Sequence, residues 1–284
     1  MLPGVSFLNA EHSYENADIV IFGNTFDHTT CFRPGAREAP NVIRRASYNF
    51  EPYMYEHGVD LSELKVNDWG NFEVGVMVDD MIEEARFYLK QAVHDGKFPI
   101  VLGGEHSVTI PAVQSFQDIS VITIDAHLDS RESYLGTKNS HACVTRRCAD
   151  HVGIENVMAL GVRSISQEEL EMEQVMPHID SYTIYEKGIE WAIEKALETV
   201  QNENVYLSID IDGIDPAYAP GTGTPEPFGL TPFDVKKVIN MVGERMVGFD
   251  VVEVSPPFDN GNTSALAARL VKEALAVWQV NNQK

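Results

Sequence analysis

Apolar residues along this chain follow two alternating rhythms. Short runs are apolar almost throughout: Ile19-Val20-Ile21-Phe22, Pro99-Ile100-Val101-Leu102, Val121-Ile122-Thr123-Ile124, Val157-Met158-Ala159-Leu160, Val205-Tyr206-Leu207-Ser208-Ile209 and Val247-Gly248-Phe249-Asp250-Val251-Val252. Unbroken apolarity in so short a run predicts strands buried on both faces, as in a parallel sheet. Weaker strand candidates lie near residues 64–69 and 179–185. Between the runs the apolar step changes to three and four. Over 78–94, Met81, Ala85, Tyr88, Leu89 and Ala92 share one helical face, and residues 190–201, 231–243 and 263–279 read similarly. Thr231-Pro232 supplies a capping hydroxyl followed by a first-turn proline. This alternation predicts β-α-β units with right-handed crossovers, hence an α/β fold. No repeat, low-complexity tract or linker interrupts the 284 residues, so one domain spanning 1–284 is expected. The main irregular segment is the Pro/Gly-rich stretch from Asp215 to Gly229, and long ordered loops in compact domains are often functional.

Composition narrows the class. Hydrophobic residues make up 44% and charged residues 23%, ordinary for a soluble globular chain. A formal net charge of −22 argues against nucleic-acid or anionic-membrane partners and suits a cationic ligand. The cysteines, Cys31, Cys143 and Cys148, form no CxxC motif, so they read as small buried residues in a reducing compartment. Met1-Leu2-Pro3-Gly4 runs into polar sequence without a basic-plus-apolar signal, and no apolar run approaches the ~18 residues of a membrane helix. The cytoplasm is the expected location.

The chemistry sits at the ends of the apolar runs. His106 lies in Gly103-Gly104-Glu105-His106-Ser107, Asp125, His127 and Asp129 in Asp-Ala-His-Leu-Asp, and Asp210 and Asp212 in Ser-Ile-Asp-Ile-Asp-Gly-Ile-Asp-Pro. Residues i, i+2 and i+4 of an extended strand point the same way, and two glycines let the chain turn sharply before His106. In an open parallel sheet the carboxyl ends of the strands form the ligand crevice, so the three motifs are expected to converge. Four carboxylates and two imidazoles exceed the needs of one small divalent ion and suit a pair sharing bridging carboxylates. Such a pair can hold and deprotonate a water, which points to a metal-dependent hydrolase. The Asp/His mixture without cysteine favours manganese over zinc. Asp210-Ile211-Asp212-Gly213-Ile214-Asp215 is not a calcium loop of the EF-hand kind, because its twelfth position is Gly221 rather than Glu.

Together these motifs resemble the ureohydrolases of the arginase/agmatinase family. The likeness runs from Arg33-Pro34-Gly35-Ala36-Arg37 through Ala219-Pro220-Gly221-Thr222-Gly223-Thr224-Pro225 to Glu253-Val254-Ser255-Pro256-Pro257. It implies a three-layer α/β/α fold around a parallel sheet of about eight strands, two Mn2+ per chain, and a homo-oligomer, a trimer or hexamer. It also implies that His106 and Asp129 hold one manganese, that His127 and Asp212 hold the other, and that Asp125 and Asp210 bridge them. His141, in Ser140-His141-Ala142-Cys143, is similar to the family's proton-shuttling histidine, although many relatives have Gly-Thr where this chain has Ala142-Cys143. Glu253 is similar to the carboxylate that pairs with the substrate guanidinium.

The resemblance also bears on the substrate. Arginases usually carry Asn two residues after the last Asp of Asp-Ala-His-Xaa-Asp, where this chain has Arg131, and acidic residues after Gly-Leu-Arg, where it has Gly161-Val162-Arg163-Ser164-Ile165-Ser166. Without those features agmatine is expected rather than arginine. Aminopropylagmatine and 4-guanidinobutyrate stay open, the latter because Arg131 could pair with a carboxylate. Two readings from other classes also stand: a dinuclear phosphoesterase, whose usual Gly-Asn-His motif is absent, and a non-catalytic metal-binding relative.

Overall fold

The computed structural model describes residues 5–282; the Met1–Gly4 start discussed above lies outside the described residues. Among the described residues ten strands form in chain order: β1 Ile19–Gly23, β2 Tyr53–Met54, β3 Val59–Asp60, β4 Val66–Asn71, β5 Phe98–Leu102, β6 Ile119–Ile124, β7 Val157–Val162, β8 His178–Asp180, β9 Asn204–Asp210 and β10 Met246–Val252. β2 and β3 make a small antiparallel pair, and the other eight form one sheet in the order β4-β1-β5-β10-β9-β6-β7-β8. All pairings in that sheet are parallel.

The helices are α1 Ala39–Ser47, α2 Val78–His94, α3 Thr109–Val113, α4 Val144–Val152, α5 Gln167–Leu170, α6 Ser181–Lys187, α7 Ile189–Thr199, α8 Pro232–Val242 and α9 Asn262–Asn282. Alternate strand residues feed two cores, as the period-two pleat requires. Ile19, Ile21, Ile100, Leu102, Leu207 and Ile209 pack beneath α1, α7, α8 and α9. Val20, Phe22, Val101, Val121, Tyr206 and Val252 pack beneath α2, α3 and α4. The result is the three-layer α/β/α arrangement expected from the sequence.

The four amphipathic stretches correspond to α2, α7, α8 and α9. Thr231 caps α8 in a reciprocal box with Asp234. The weak strand at 64–69 is β4, but the one at 179–185 requires correction. Strand β8 ends at Asp180, whose side chain accepts the Thr183 N–H at 2.8 Å and starts α6. An Asp N-cap outweighs the β-propensity of Ile, Tyr and Thr there. Cys143 and Cys148 are buried, whereas Cys31 is exposed, contrary to expectation. It lies on the loop between β1 and α1 that borders the cavity described below. Among the described residues no helix is long and apolar enough to cross a membrane.

Candidate active site

Strands β5, β10, β9 and β6 are consecutive in the sheet, and the chemistry-bearing residues follow their carboxyl ends. Ile124 pairs with Ile209, and Val252 with Asp210. Asp125 therefore emerges beside Asp210, with Glu253 one residue further along on the neighbouring strand end. His106 arrives from β5 through Gly103 and Gly104. A Cβ on Gly104 would lie 1.9 Å from the Phe26 carbonyl oxygen, so only glycine permits this approach.

Convergence is achieved by capped turns rather than by strands running on, as the i, i+2 argument assumed. β6 ends at Ile124; the His127 N–H then returns to Asp125 Oδ1 at 2.7 Å. Likewise the Asp212 N–H returns to Asp210 Oδ1 at 2.9 Å. Each first Asp thus turns the chain that carries its partner. Asp129 and Glu253 hold φ of 48° and 60°, the left-handed region that non-glycine residues enter at a cost.

The six residues expected to bind metal meet at one place. His106 Nδ1 lies 3.1 Å from Asp125 Oδ2, 3.3 Å from Asp129 Oδ2 and 3.2 Å from Asp210 Oδ2. His127 Nδ1 lies 3.1 Å from Asp212 Oδ2 and 3.6 Å from Asp125 Oδ1. Two clusters able to hold an ion result, His106/Asp125/Asp210 and Asp125/His127/Asp212, with Asp125 common to both. Asp210, a bridging residue by resemblance, falls within the first of these.

The donor set fits divalent cations. His106 Nε2 lies 3.2 Å from Ser208 Oγ, and Ser208 gives its proton to Asp250 Oδ1 at 2.6 Å. Asp250 also accepts from Thr109 and Tyr206. His106 must therefore donate from Nε2, which leaves a lone pair on Nδ1. That atom and Asp125 Oδ2 are buried without hydrogen-bond partners. Lone pairs aimed at one point need a cation between them, and a buried His–Ser–Asp chain is the kind of support that orients a ligating imidazole.

Electrostatics tell the same story. Burial would lower the His106 and His127 pKa values, but the surrounding aspartates outweigh it and raise both well above the usual imidazole range. Burial and Asp125 push Asp129 up to about 7. Burial, Asp212 and Asp125 raise Asp210 well above the carboxylate range. Asp212 moves down despite burial, drawn by His127. Without a cation, protons must neutralise this crowd of anions.

Above the cluster opens a cavity of about 260 Å³ bordered by His127, Asp129, Asp210, Asp212, His141 and Glu253. Glu253 is 6% exposed, and its Oε1 accepts the His106 N–H at 2.7 Å. Burial and neighbouring Glu105 raise its pKa well above normal. His141 opens a short helical turn capped by Ser140, and burial and then His106 and His127 lower its pKa to about 4. The 215–229 loop forms part of the wall. Thr224 Oγ1 donates to Asp212 Oδ2 at 3.0 Å, while half-buried Arg163 ties Glu226 and Pro227 carbonyls to the ends of the sheet.

A family profile described as the arginase family matches residues 17–277. The chain belongs to the arginase family. It is 37% identical to a protein named agmatinase from Pyrococcus horikoshii, over 90% of each chain. It is 35% identical to an N(1)-aminopropylagmatine ureohydrolase of Thermococcus kodakarensis, over 90% of this chain and 89% of the relative. The crystal structure of agmatine ureohydrolase of Thermoplasma volcanium superposes with a TM-score of 0.95 at 41% identity, covering 100% of this chain and 97% of the other. Family membership makes this chain a hydrolase of the ureohydrolase type, and the arginase fold accounts for its eight-stranded parallel sheet.

Two cavity residues, Tyr134 and Glu169, escaped sequence reasoning, as did Thr29, which bonds to the cavity residue His141. Thr29 and Tyr134 flank His141, with the Tyr134 ring edge-on to the imidazole at 5.7 Å. Glu169 is 3% exposed and lines the cavity. Its oxygens accept N–H and O–H bonds from Ser130 and Ser166. The Ser166-Gln167-Glu168-Glu169 capping-box spacing was the available signal for Glu169. Arg131 also borders the cavity, 4.8 Å over the Tyr134 ring and 3.9 Å from Glu169 Oε2.

Proposed function

We propose that this arginase-family enzyme hydrolyses agmatine to putrescine and urea with two manganese ions as resident cofactors. His106 and Asp129 would hold one ion, His127 and Asp212 the other, with Asp125 and Asp210 shared. When bound, the pair supplies the Lewis acidity that activates water near neutral pH. The observation that carries the reading is an acidic cavity whose floor is two ligand clusters joined at Asp125 and whose walls include Glu253 and His141.

Each wall residue has a role suited to a guanidinium. Glu253 uses Oε1 on the His106 N–H, so Oε2 can accept a substrate N–H. A guanidinium cation offsets the cost of burying that carboxylate and lies flat against it through charge-assisted bonds. Once the central carbon is tetrahedral, the departing amine needs a proton, and His141 is the acid–base group beside it. The tail end favours agmatine over arginine. Ser166 Oγ is committed to Glu169 at 2.8 Å, and Arg131 already faces Glu169. An α-carboxylate would there meet the buried Glu169 anion and compete with it for Arg131, at a cost of roughly several kcal/mol if it stays unpaired. The agmatinase relatives support the same substrate, and the Thermococcus relative supports aminopropylagmatine as the second reading.

Urea release by manganese-loaded protein from agmatine, aminopropylagmatine, 4-guanidinobutyrate and arginine tests the assignment. Agmatine is expected to have the highest kcat/KM. Preference for arginine or 4-guanidinobutyrate overturns it and makes Arg131 a substrate ligand; preference for aminopropylagmatine revises only the tail.

A further inference from the structure

Thr29 lies on the loop after β1, far in sequence from Glu105 and His141, yet its hydroxyl is the hub of a partly buried network behind His141. Its O–H is 2.6 Å from Glu105 Oε1, and its backbone N–H is 2.7 Å from Glu105 Oε2. Glu105 is fully buried, and Ser107 Oγ adds a further donor to Oε1 at 2.6 Å. The same Thr29 oxygen lies 3.0 Å from the His141 backbone N–H and 3.0 Å from His141 Nδ1.

A hydroxyl has one proton and two lone pairs. Glu105, already accepting on both oxygens, takes the Thr29 proton. The Thr29 lone pairs then accept the His141 backbone N–H and the ring Nδ1–H. Ser140 Oγ, 3.3 Å from the same Nδ1, also accepts the Ala142 N–H. A lone pair on Nδ1 would face the lone pairs of Thr29 across 3.0 Å.

We infer that Thr29, anchored by Glu105, is a positioning residue that holds neutral His141 with its proton on Nδ1 and its Nε2 lone pair free for the substrate nitrogen. His141 Nε2 therefore first takes up the proton that the attacking water gives up and then passes it from the same nitrogen to the departing amine, while Nδ1 keeps its own. The inference rests on the reading of His141 as the proton donor in guanidinium hydrolysis. It identifies a sequence-distant loop as part of the acid–base apparatus. It also gives Glu105 a task separate from that of its neighbour His106.

Thr29→Val keeps the side-chain shape and removes both hydrogen-bonding functions; Thr29→Ser keeps them. With agmatine and saturating manganese, Thr29→Val is expected to lower kcat about tenfold to a hundredfold, below the full worth of a positioned acid–base group. Its KM should stay within about threefold, the signature of an interaction needed only in the transition state. Thr29→Ser should restore kcat, bound manganese should match the parent in both variants, and Thr29→Val should melt lower because Glu105 and the His141 N–H lose a partner, yet stay folded at assay temperature. Independently of turnover, long-range proton–nitrogen NMR of 15N-histidine-labelled protein loaded with diamagnetic magnesium, with His141→Asn for assignment, reads the tautomer. His141 should be protonated on Nδ1 in the parent and in Thr29→Ser, and should lose that preference in Thr29→Val. Unchanged kcat in Thr29→Val, failure of serine to rescue, or an Nε2-protonated His141 in the parent overturns the inference. Absence of urea release by the parent with every guanidino compound overturns the functional reading instead, and the NMR result then decides the tautomer alone.

Discussion

Asp125→Asn is the substitution that most directly probes the centre. Asp125 is fully buried, and its two oxygens face His106 and His127 separately, so one amide replaces the carboxylate common to both clusters. The fold should survive. Asn Oδ1 can still accept the His127 N–H now bound at 2.7 Å, and its NH2 can donate to the lone pair on His106 Nδ1. The loss falls on the cations. A unit-charge pair at about 4 Å in an effective dielectric near 20 is worth roughly 4 kcal/mol, about a thousandfold in affinity, and divalent ions at ligand distance lose more. In calorimetry with manganese at about 100 Kd, each ion should stabilise the parent by about 2.7 kcal/mol. For 284 residues the unfolding entropy is about 0.6 kcal/mol/K, so two ions raise Tm by roughly 9 °C. In Asp125→Asn at the same manganese concentration the rise should shrink to roughly 1 °C or less. A parent-like manganese-dependent rise would refute the shared-carboxylate reasoning, and so would two tightly held ions in the variant by metal analysis.

Other consequences follow from the same geometry. His141→Asn should retain manganese while kcat falls by ~10²–10⁴-fold; steady-state kinetics beside metal analysis decide it, and unchanged turnover removes His141 from the acid–base role. The chelated protein should lose stability as pH rises. The Asp129 carboxyl, raised to about 7, favours the fold while protonated and is lost from the carboxylate range upward to about 7. Raised His106 and His127 contribute below the ordinary imidazole value and lose that contribution as pH climbs through their folded values. Thermal melts in chelator across pH 5 to 8 should therefore fall while manganese-loaded melts fall less, and equal slopes would contradict this account. Gly104→Ala drives a Cβ to within 1.9 Å of the Phe26 carbonyl and should cost about 2 kcal/mol or more, lowering both Tm and manganese affinity through displacement of His106.

Much of this protein was legible without a structure. Strand runs buried on both faces are apolar throughout, and helices alternating with them keep one apolar stripe, so the α/β class follows from local pattern, while the three layers were implied by the family resemblance. The six residues proposed to hold metal were also conspicuous, because Asp and His clustered at the ends of several apolar strands have few purely structural uses. The extent of α6 was not, since an Asp N-cap and a β-prone run compete over the same few residues. Only the tertiary structure placed β5, β10, β9 and β6 side by side, and strand order is a property of crossovers that no local pattern encodes. It showed that short side-chain-capped turns, not extended strands, bring Asp125 to His127 and Asp210 to Asp212. It also exposed Cys31, brought Tyr134 and Glu169 to the cavity and set Thr29 against His141. Their partners lie far along the chain, and a lone hydroxyl or carboxylate in a loop carries no periodic signal. What a residue is can be read from its neighbours in sequence; whose proton it holds depends on neighbours in space.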